Sequence, residues 1–304
     1  MDILDIHQSL KYLQHNGVGL NIEERIQLDL GLQQLLTHQY PKLFEELLYW
    51  GKIIGINADY HIAVGIDYSN HYEFPHKKFY YALSTNFQFK PFPALNDQHK
   101  DEYNKIKTLI LGVPDKVHKI VEPVKQEGEE QQEENQQQVK EVDPLASSES
   151  EDEAAKIVPV NLKEIDRVHY LVRAIENDCH IIPQGSFKLT NAHEVNRNEA
   201  FRGLNLEEAF RMNSYQHFRN VQQKDKKEGL EKDDAIFIKN FLDDITADKP
   251  TGQWSVQKDS SGRVAILRNL QWPGFFAYHK ANSKIYGSVY IGEGLKNADL
   301  PFML

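Results

Sequence analysis

Phe79-Tyr80-Tyr81-Ala82-Leu83-Ser84-Thr85-Asn86-Phe87-Gln88-Phe89 alternates over its whole length. Phe79, Tyr81, Leu83, Thr85, Phe87 and Phe89 fall on one side, and Tyr80, Ala82, Ser84, Asn86 and Gln88 on the other. A period of two is that of a β-strand, whose successive side chains point to opposite faces. Just upstream, Tyr60, Ile62, Val64 and Ile66 alternate with Asp59, His61, Ala63 and Gly65, and Leu47 to Ile56 reads as a further strand. Strands this close in sequence predict an antiparallel meander, because a parallel crossover needs a longer connection.

A second meander is predicted at the other end of the chain. Trp254 and Val256 lead into Asp259-Ser260-Ser261-Gly262, a turn suited to a hairpin. Val264–Leu270, Phe275–His279 and Ile285–Ile291 follow. Helices precede each meander. Ile3, Ile6, Leu10 and Leu13 share one helical face. Asn21 with Glu24 has the spacing of an N-cap pair and opens a helix whose apolar residues are Ile22, Ile26, Leu28, Leu32, Leu35 and Leu36. A short helix is expected over 97–111. The same cap spacing recurs at Asn161 with Glu164, for a helix running to Asn177, and at Asn205 with Glu208. Ile238, Phe241, Leu242 and Ile245 suggest one more. Runs of helices and runs of strands, rather than βαβ alternation, indicate an α+β fold. The expectation is N-terminal helices and two antiparallel meanders with intervening helices, packed as one compact unit. Three segments are read: 1–120, an acidic insert at 121–156, and 157–304.

The insert is set apart by composition. The chain has 304 residues and a net charge of −10. Residues 121–156 hold twelve acids and three bases, so the rest of the chain is close to neutral. The insert lacks aromatic residues and cannot bury enough surface to offset ordering entropy, so it is expected to be disordered. Ser147, Ser148 and Ser150 lie among its acids, a setting for an acid-directed kinase. No overall basic footprint points to nucleic acid. The single cysteine, Cys179, cannot pair within the chain, which suits a reducing compartment. No apolar run has the length to cross a bilayer, and Met1-Asp2-Ile3-Leu4-Asp5 lacks the pattern of a signal peptide. The expectation is a soluble intracellular protein.

The search for chemistry is mostly negative. There is no P-loop, Gly-x-Ser-x-Gly or His-Glu-x-x-His. Gly292-Glu293-Gly294 reads as a turn rather than a phosphate cradle. His71 and His76, with Glu73 beside them, are the best metal-ligand set among thirteen histidines, but spacing places no third strong ligand and solvated loop histidines are the favoured account. Cys179 reads as a small buried hydrophobe and His61 as a sheet-face residue. Asp243 and Asp244 are adjacent and so do not form an acid/base pair by spacing. The aromatic excess is more telling. Trp50, Trp254 and Trp272, with Tyr80, Tyr81, Tyr278, Tyr286 and Tyr290, lie in or beside predicted strands. Core packing is the plainer account; protein–protein anchoring is the other.

Two stretches resemble a known family. Tyr49-Trp50-Gly51-Lys52-Ile53-Ile54-Gly55 followed by Ala58-Asp59-Tyr60-His61-Ile62-Ala63 is similar to the N-terminal signature of the radial spoke head proteins. The C-terminal part fits better: Leu267-Arg268-Asn269-Leu270-Gln271-Trp272-Pro273-Gly274, then Tyr286-Gly287-Ser288-Val289-Tyr290-Ile291-Gly292, then the ending Lys296-Asn297-Ala298-Asp299-Leu300-Pro301-Phe302-Met303-Leu304. Ile181-Ile182-Pro183-Gln184-Gly185 and Gln253-Trp254-Ser255 also fit. The resemblance implies a non-enzymatic structural subunit of the spoke head in the axoneme of motile cilia and flagella. It implies no catalytic residue and no cofactor or metal. It implies assembly with the 4/6-type spoke head proteins and other head subunits. It also implies transient contact of the head with central-pair projections, relaying cues to dynein. Pro273 cannot donate to a central ladder, so Trp272 is expected at a strand end or sheet edge.

Two other readings remain: a metal enzyme using His71, Glu73 and His76, and a soluble adaptor that binds basic partners through the acidic insert.

Overall fold

The structure is a computed structural model that describes residues 1–3, 6–38, 44–68, 74–95, 100, 103, 106, 108–118, 162–232 and 240–303. The acidic insert 121–156, His71, Glu73, Asn161 and Ile238 lie outside the described residues, as does most of the helix expected over 97–111.

The first meander is β1 (Glu46–Ile53), β2 (Tyr60–Asp67), β3 (His76–Leu83) and β4 (Lys90–Pro91). Two-residue strands β5 (Val117–His118) and β6 (Leu162–Lys163) pair with each other. Short strands β7 (Ile181–Pro183), β8 (Phe187–Leu189), β9 (Val195–Arg197) and β10 (Tyr215–His217) follow, pairing as β7 with β10 and β8 with β9. The second meander is β11 (Trp254–Lys258), β12 (Val264–Asn269), β13 (Phe275–Lys280) and β14 (Tyr286–Gly292). The two meanders form one eight-stranded sheet, ordered β11-β12-β13-β14-β1-β2-β3-β4. All its pairings are antiparallel except one, β1 with β14, which joins the halves in register Gly51↔Tyr290. The fold is α+β with a large antiparallel sheet, as the alternation predicts.

Both faces of the sheet are covered, whereas an antiparallel sheet often leaves one face wet. On one face lie helices α1 (Ile6–Lys11) and α2 (Ile22–His38). Their Leu10, Leu28 and Leu32 pack with Tyr49, Ala63, Tyr80, Ile266 and Tyr278. The opposite face carries α3 (Glu164–Cys179). Its Val168, Val172 and Ile175 pack with Tyr60, Ile62, Val64, Ala265, Leu267 and Tyr290. The alternation of β2 and β12 thus sorts residues between two apolar layers. Gly65 belongs to the first: a Cβ there would stand 2.7 Å from the Phe44 ring.

Several elements differ from their expectation. The run Phe79–Phe89 is not one strand. β3 ends at Leu83, and Ser84 binds back to Asp59 through its own N–H (2.9 Å) and its hydroxyl (3.0 Å). Asn86 accepts from the Gln88 N–H, Phe87 takes φ +51°, and β4 then returns beside β3. β2 has only eight residues, so a longer β3 would outrun its partner. In α2 only Leu28, Leu32 and Leu35 of the expected face are buried; Ile22, Ile26 and Leu36 face outward. Asn21 does cap it: Asn21 Oδ1 accepts from Glu24 N–H at 2.7 Å, and Glu24 accepts from Asn21 N–H at 3.0 Å. Asn205 and Glu208 form the same box on the turn Leu206–Ala209. α3, in contrast, starts at Glu164 behind an uncapped Lys163, because Glu164 is engaged elsewhere. Residues 108–111 are not helical; Ile110 and Leu111 carbonyls accept from Ile56 and Asn57. Phe241 and Leu242 are buried without a helix, and only the single turn Ile245–Ala247 forms.

Two histidines are sealed into this sheet. His61 and His279 are fully buried, and burial lowers each pKa to about 4. His279 Nε2 accepts the Leu204 N–H at 3.1 Å while Nδ1 donates to the Ile285 carbonyl at 3.2 Å, which requires the neutral ring. In the unfolded chain these rings take a proton near the ordinary value of 6.5. Their contribution is therefore complete above that pH and is lost as pH falls toward 4. Urea unfolding at about pH 7.5 and pH 5 should show a drop on the order of 1–2 kcal/mol per histidine. Replacing His279 by Gln should flatten its share of the slope.

Candidate functional site

The motif residues converge where the two meanders join. β1 bulges between Tyr49 and Gly51. Gly51 has φ +147°, and a Cβ there would lie 2.1 Å from the Tyr290 carbonyl oxygen. Only glycine lets β14 reach ladder distance at this point. The bulge turns Trp50 toward α3, where its ring lies 5.4 Å from that of Tyr290. The second Trp motif meets the same strand. Gly274, at φ +103°, would place a Cβ 2.3 Å from the Ile291 carbonyl oxygen, and one on Gly292 would stand 2.7 Å from that of Pro273. Ile291 N–H donates to Gly274 at 2.8 Å and Ile54 N–H to Gly292 at 2.9 Å. Trp50-Gly51, Trp272-Pro273-Gly274 and Tyr290–Gly292 therefore form one junction.

Each tryptophan in the chain donates its indole N–H to a carboxylate. Trp50 Nε1 binds Glu176 at 2.9 Å, Trp272 Nε1 binds Asp178 at 3.0 Å, and Trp254 Nε1 binds Asp248 at 2.8 Å. Each carboxylate also meets a basic group. Glu176 accepts from Lys77 Nζ at 2.6 Å and from His180 Nδ1. Asp178 pairs with Lys296 at 3.2 Å, and Asp248 meets His217 Nε2 at 2.7 Å. Burial alone would raise the Glu176 carboxyl; His180 and Lys77 outweigh it and hold the group well below the usual carboxylate range. Asp248 is lowered the same way by His217 and Trp254. Burial lowers the Lys77 ammonium despite Glu176 beside it. The Trp50, Trp254 and Trp272 side chains are thus interior, hydrogen-bonded groups rather than surface anchors.

The other motif residues sit apart from the junction. Lys52 bridges Glu24 of α2 at 2.9 Å and Asp59 at 3.2 Å, and Asp59 accepts from Gly55 N–H at 3.0 Å. Tyr60 hydroxyl donates to Glu164 at 2.8 Å. Glu164 also accepts the backbone N–H groups of Leu111, Gly112 and Val113, at 2.8–2.9 Å. Tyr286 and Gly287 begin β14; Gly287 leaves room for the Tyr278 hydroxyl. Trp272 lies in the turn between β12 and β13, at a strand end; the sheet edges are β11 and β4. Asp299, Pro301 and Phe302 are exposed, Phe302 at 89%.

Sequence reasoning passed over Glu176 and Asp178, and read Glu164 only as a cap partner. One signal was available for Glu176. It stands four residues after Val172 and eight after Val168, on the apolar stripe of α3. A carboxylate in that position needs a buried partner.

His76 lies at the exposed start of β3. Among the described residues no three His, Cys, Asp or Glu side chains group as metal ligands. Cys179 is buried, and burial pushes its thiol pKa well up, away from nucleophile chemistry. No described helix is long and apolar enough to cross a membrane.

The family model described as radial spokehead-like protein matches residues 1–205 and 176–304. The chain belongs to the radial spokehead-like protein family. It is 32% identical to the radial spoke head protein 9 homolog of Homo sapiens over 305 residues, covering all of both chains. The homologs of Mus musculus and Bos taurus are 32% and 31% identical, again with full coverage of each. In this radial spokehead-like chain the motif residues at the junction are interior residues that close the sheet.

Two substitutions test the junction. Gly51→Ala should cost at least about 3 kcal/mol, from strain at positive φ plus the clash with Tyr290. Glu176→Gln should cost about 3–5 kcal/mol, because Lys77 is left buried without its counter-charge. Urea unfolding at constant slope measures both. A Lys77→Met, Glu176→Leu double variant should lose clearly less than the sum of its single changes.

Proposed function

We propose that this chain is a non-catalytic structural subunit of the radial spoke head in the axoneme of motile cilia and flagella. It assembles with the 4/6-type spoke head proteins and the other head subunits. In that position it helps the head meet projections of the central pair and pass mechanical cues to the dyneins. The observation that carries this reading is the match to radial spoke head protein 9 homologs over the whole of both chains. The architecture suits a part that carries force. One sheet runs from β11 to β4, apolar layers cover both of its faces, and α3 reaches both meanders through buried Glu176 on Trp50 and half-buried Asp178 on Trp272. Such a body transmits displacement without local yielding, since close-packed interiors have low compressibility.

Fractionation of cilia carrying a tagged copy tests the proposal. After detergent removes membrane and matrix, the tag should stay with the axoneme and co-purify with other spoke components. A tag that washes out with the matrix, or never enters the cilium, would overturn it. Loss of the chain should leave dynein in place while changing the beat waveform, read by high-speed imaging.

A further inference from the structure

The guanidinium of Arg167, in the first turn of α3, is a buried cation without a paired anion. The residue is 1% exposed. Its Nη2 donates to the Ile106 carbonyl at 3.0 Å and the Thr108 carbonyl at 2.6 Å, and its Nη1 donates to the Thr108 hydroxyl at 3.3 Å. Its Nε has no hydrogen-bond partner, and no described carboxylate stands at ion-pair distance. Burial lowers its pKa, and Glu164 opposes this only through space. The Glu164 oxygens are taken by the Tyr60 hydroxyl and by the N–H groups of Leu111, Gly112 and Val113. A buried charge of this kind is costly unless an anion meets it.

Between this guanidinium and solvent stands a hydroxyl. Thr108 is exposed, and so is Leu109 after it. The Thr108 Oγ1 accepts from Arg167 and gives its own proton to no described group. Among the described residues Arg167 is the one arginine that donates to a serine or threonine hydroxyl. Arg25, Arg197, Arg219 and Arg268 donate to carbonyl, carboxylate or amide oxygens. In the sequence, Lys105 and Lys107 stand three and one positions before Thr108, a spacing that an acidic kinase cleft attracts.

We propose that Thr108 is a phosphorylation site and that Arg167 receives the phosphate. The donor is ATP held by a basic-directed serine/threonine kinase. Thr108 Oγ1 attacks the γ-phosphorus and forms the new P–O bond. The bond from that phosphorus to the bridging oxygen breaks, ADP leaves with its electron pair, and the hydroxyl proton passes to the kinase's catalytic carboxylate. The phosphorus is then one bond beyond an oxygen that already lies 3.3 Å from Nη1. A guanidinium holds phosphate through paired N–H donors. The added charge, about −1.5 to −2, meets a cation that packing already holds in place. Glu164 fastens residues 111–113 to α3 by their N–H groups, and the phosphate fastens the same segment at a second point.

The test uses the full chain in two forms: treated with a purified basic-directed kinase and magnesium ATP, and made with phosphothreonine genetically encoded at position 108. Mass spectrometry of the treated chain should place phosphate on Thr108, and Thr108→Val should lose it. A Thr108 left unmodified at saturating kinase would overturn the site. Phosphorus NMR of the encoded phosphate, titrated in the folded and the urea-unfolded chain, reads the receptor. The second pKa should be ordinary, about 6, in urea and lower by about half a unit or more in the folded chain. The folded phosphochain should also melt about 2 °C or more above the unmodified one. Arg167→Lys, which keeps the charge and loses the fork, should shrink the pKa shift, while Arg173→Gln, on the exposed side of α3, should leave it unchanged. An equal pKa in the folded and unfolded chains would overturn the proposal, and that comparison needs no variant to fold. A shift lost equally in Arg173→Gln would overturn it too. Both readouts use the purified chain, so failure here leaves the assembly reading standing, and loss of axonemal retention leaves this site intact.

Discussion

The carboxylate of Glu176 governs how the two halves of this chain meet. It sits on the apolar side of α3, buried, and takes hydrogen bonds from the Trp50 indole, the Lys77 ammonium and His180. Those groups belong to β1, to β3 and to the end of the helix itself. A buried ion pair adds little net stability, because desolvation offsets most of the Coulomb gain. Its effect is on alternatives. Any arrangement that moves α3 by a turn, or slips β3 by one residue, leaves a buried charge without its partner. The helix is thereby held in one register against the sheet. Glu164 does the same at the first turn, collecting three backbone N–H groups and the Tyr60 hydroxyl.

The second constraint is steric. Two antiparallel meanders can lie side by side in many ways, but here they share one parallel ladder, β1 with β14. Gly51 and Gly274 bring backbone to backbone on either side of β14, at distances no side chain permits. The bulge at Trp50 then ends the parallel pairing, and beyond it the first residues of the chain take over. Met1 amine donates to the Tyr49 and Ser288 carbonyls at 2.9 and 3.2 Å, and Tyr49 N–H donates back to Met1 at 2.8 Å. A gap between two strands is thus filled by a third segment, and each backbone polar group named here finds a partner, as burial demands. The junction is interior, and its glycines are there for close approach rather than for motion.

What the sequence reveals is what is local. The capping boxes at Asn21 and Asn205 need only residues three apart, and both form. At Asn161 and Glu164 the same spacing falls partly outside the described residues, and Glu164 spends its carboxylate on residues more than fifty positions away. The alternation of Phe79–Phe89 misleads for a related reason. No glycine or proline marks the turn at Ser84–Asn86, and the length of β2 decides where β3 stops. The three tryptophans were legible as important but not as to role. Trp50 lies 126 residues from its carboxylate and Trp272 lies 94 from its own, so no pattern within a window links them. The resemblance to spoke head proteins marked Trp50-Gly51, Trp272-Pro273-Gly274 and Tyr290–Gly292 as separate stretches, and the fold brings them together.

These facts separate where the family is recognised from where the protein recognises others. Trp50, Gly51, Trp272, Gly274 and Tyr290 are spent on closing the sheet, and a partner cannot touch a buried indole. Partner choice must therefore rest on the outside, where Asp299, Pro301 and Phe302 of the C-terminal motif are exposed. The described surface carries outward Ile22, Ile26 and Leu30 along α2 and the exposed Arg173 along α3. They lie on opposite faces of one stiff sheet. The two faces are linked through packed side chains and through the buried Lys77–Glu176 pair. A close-packed interior of this kind has low compressibility, so a displacement of one face is carried to the other.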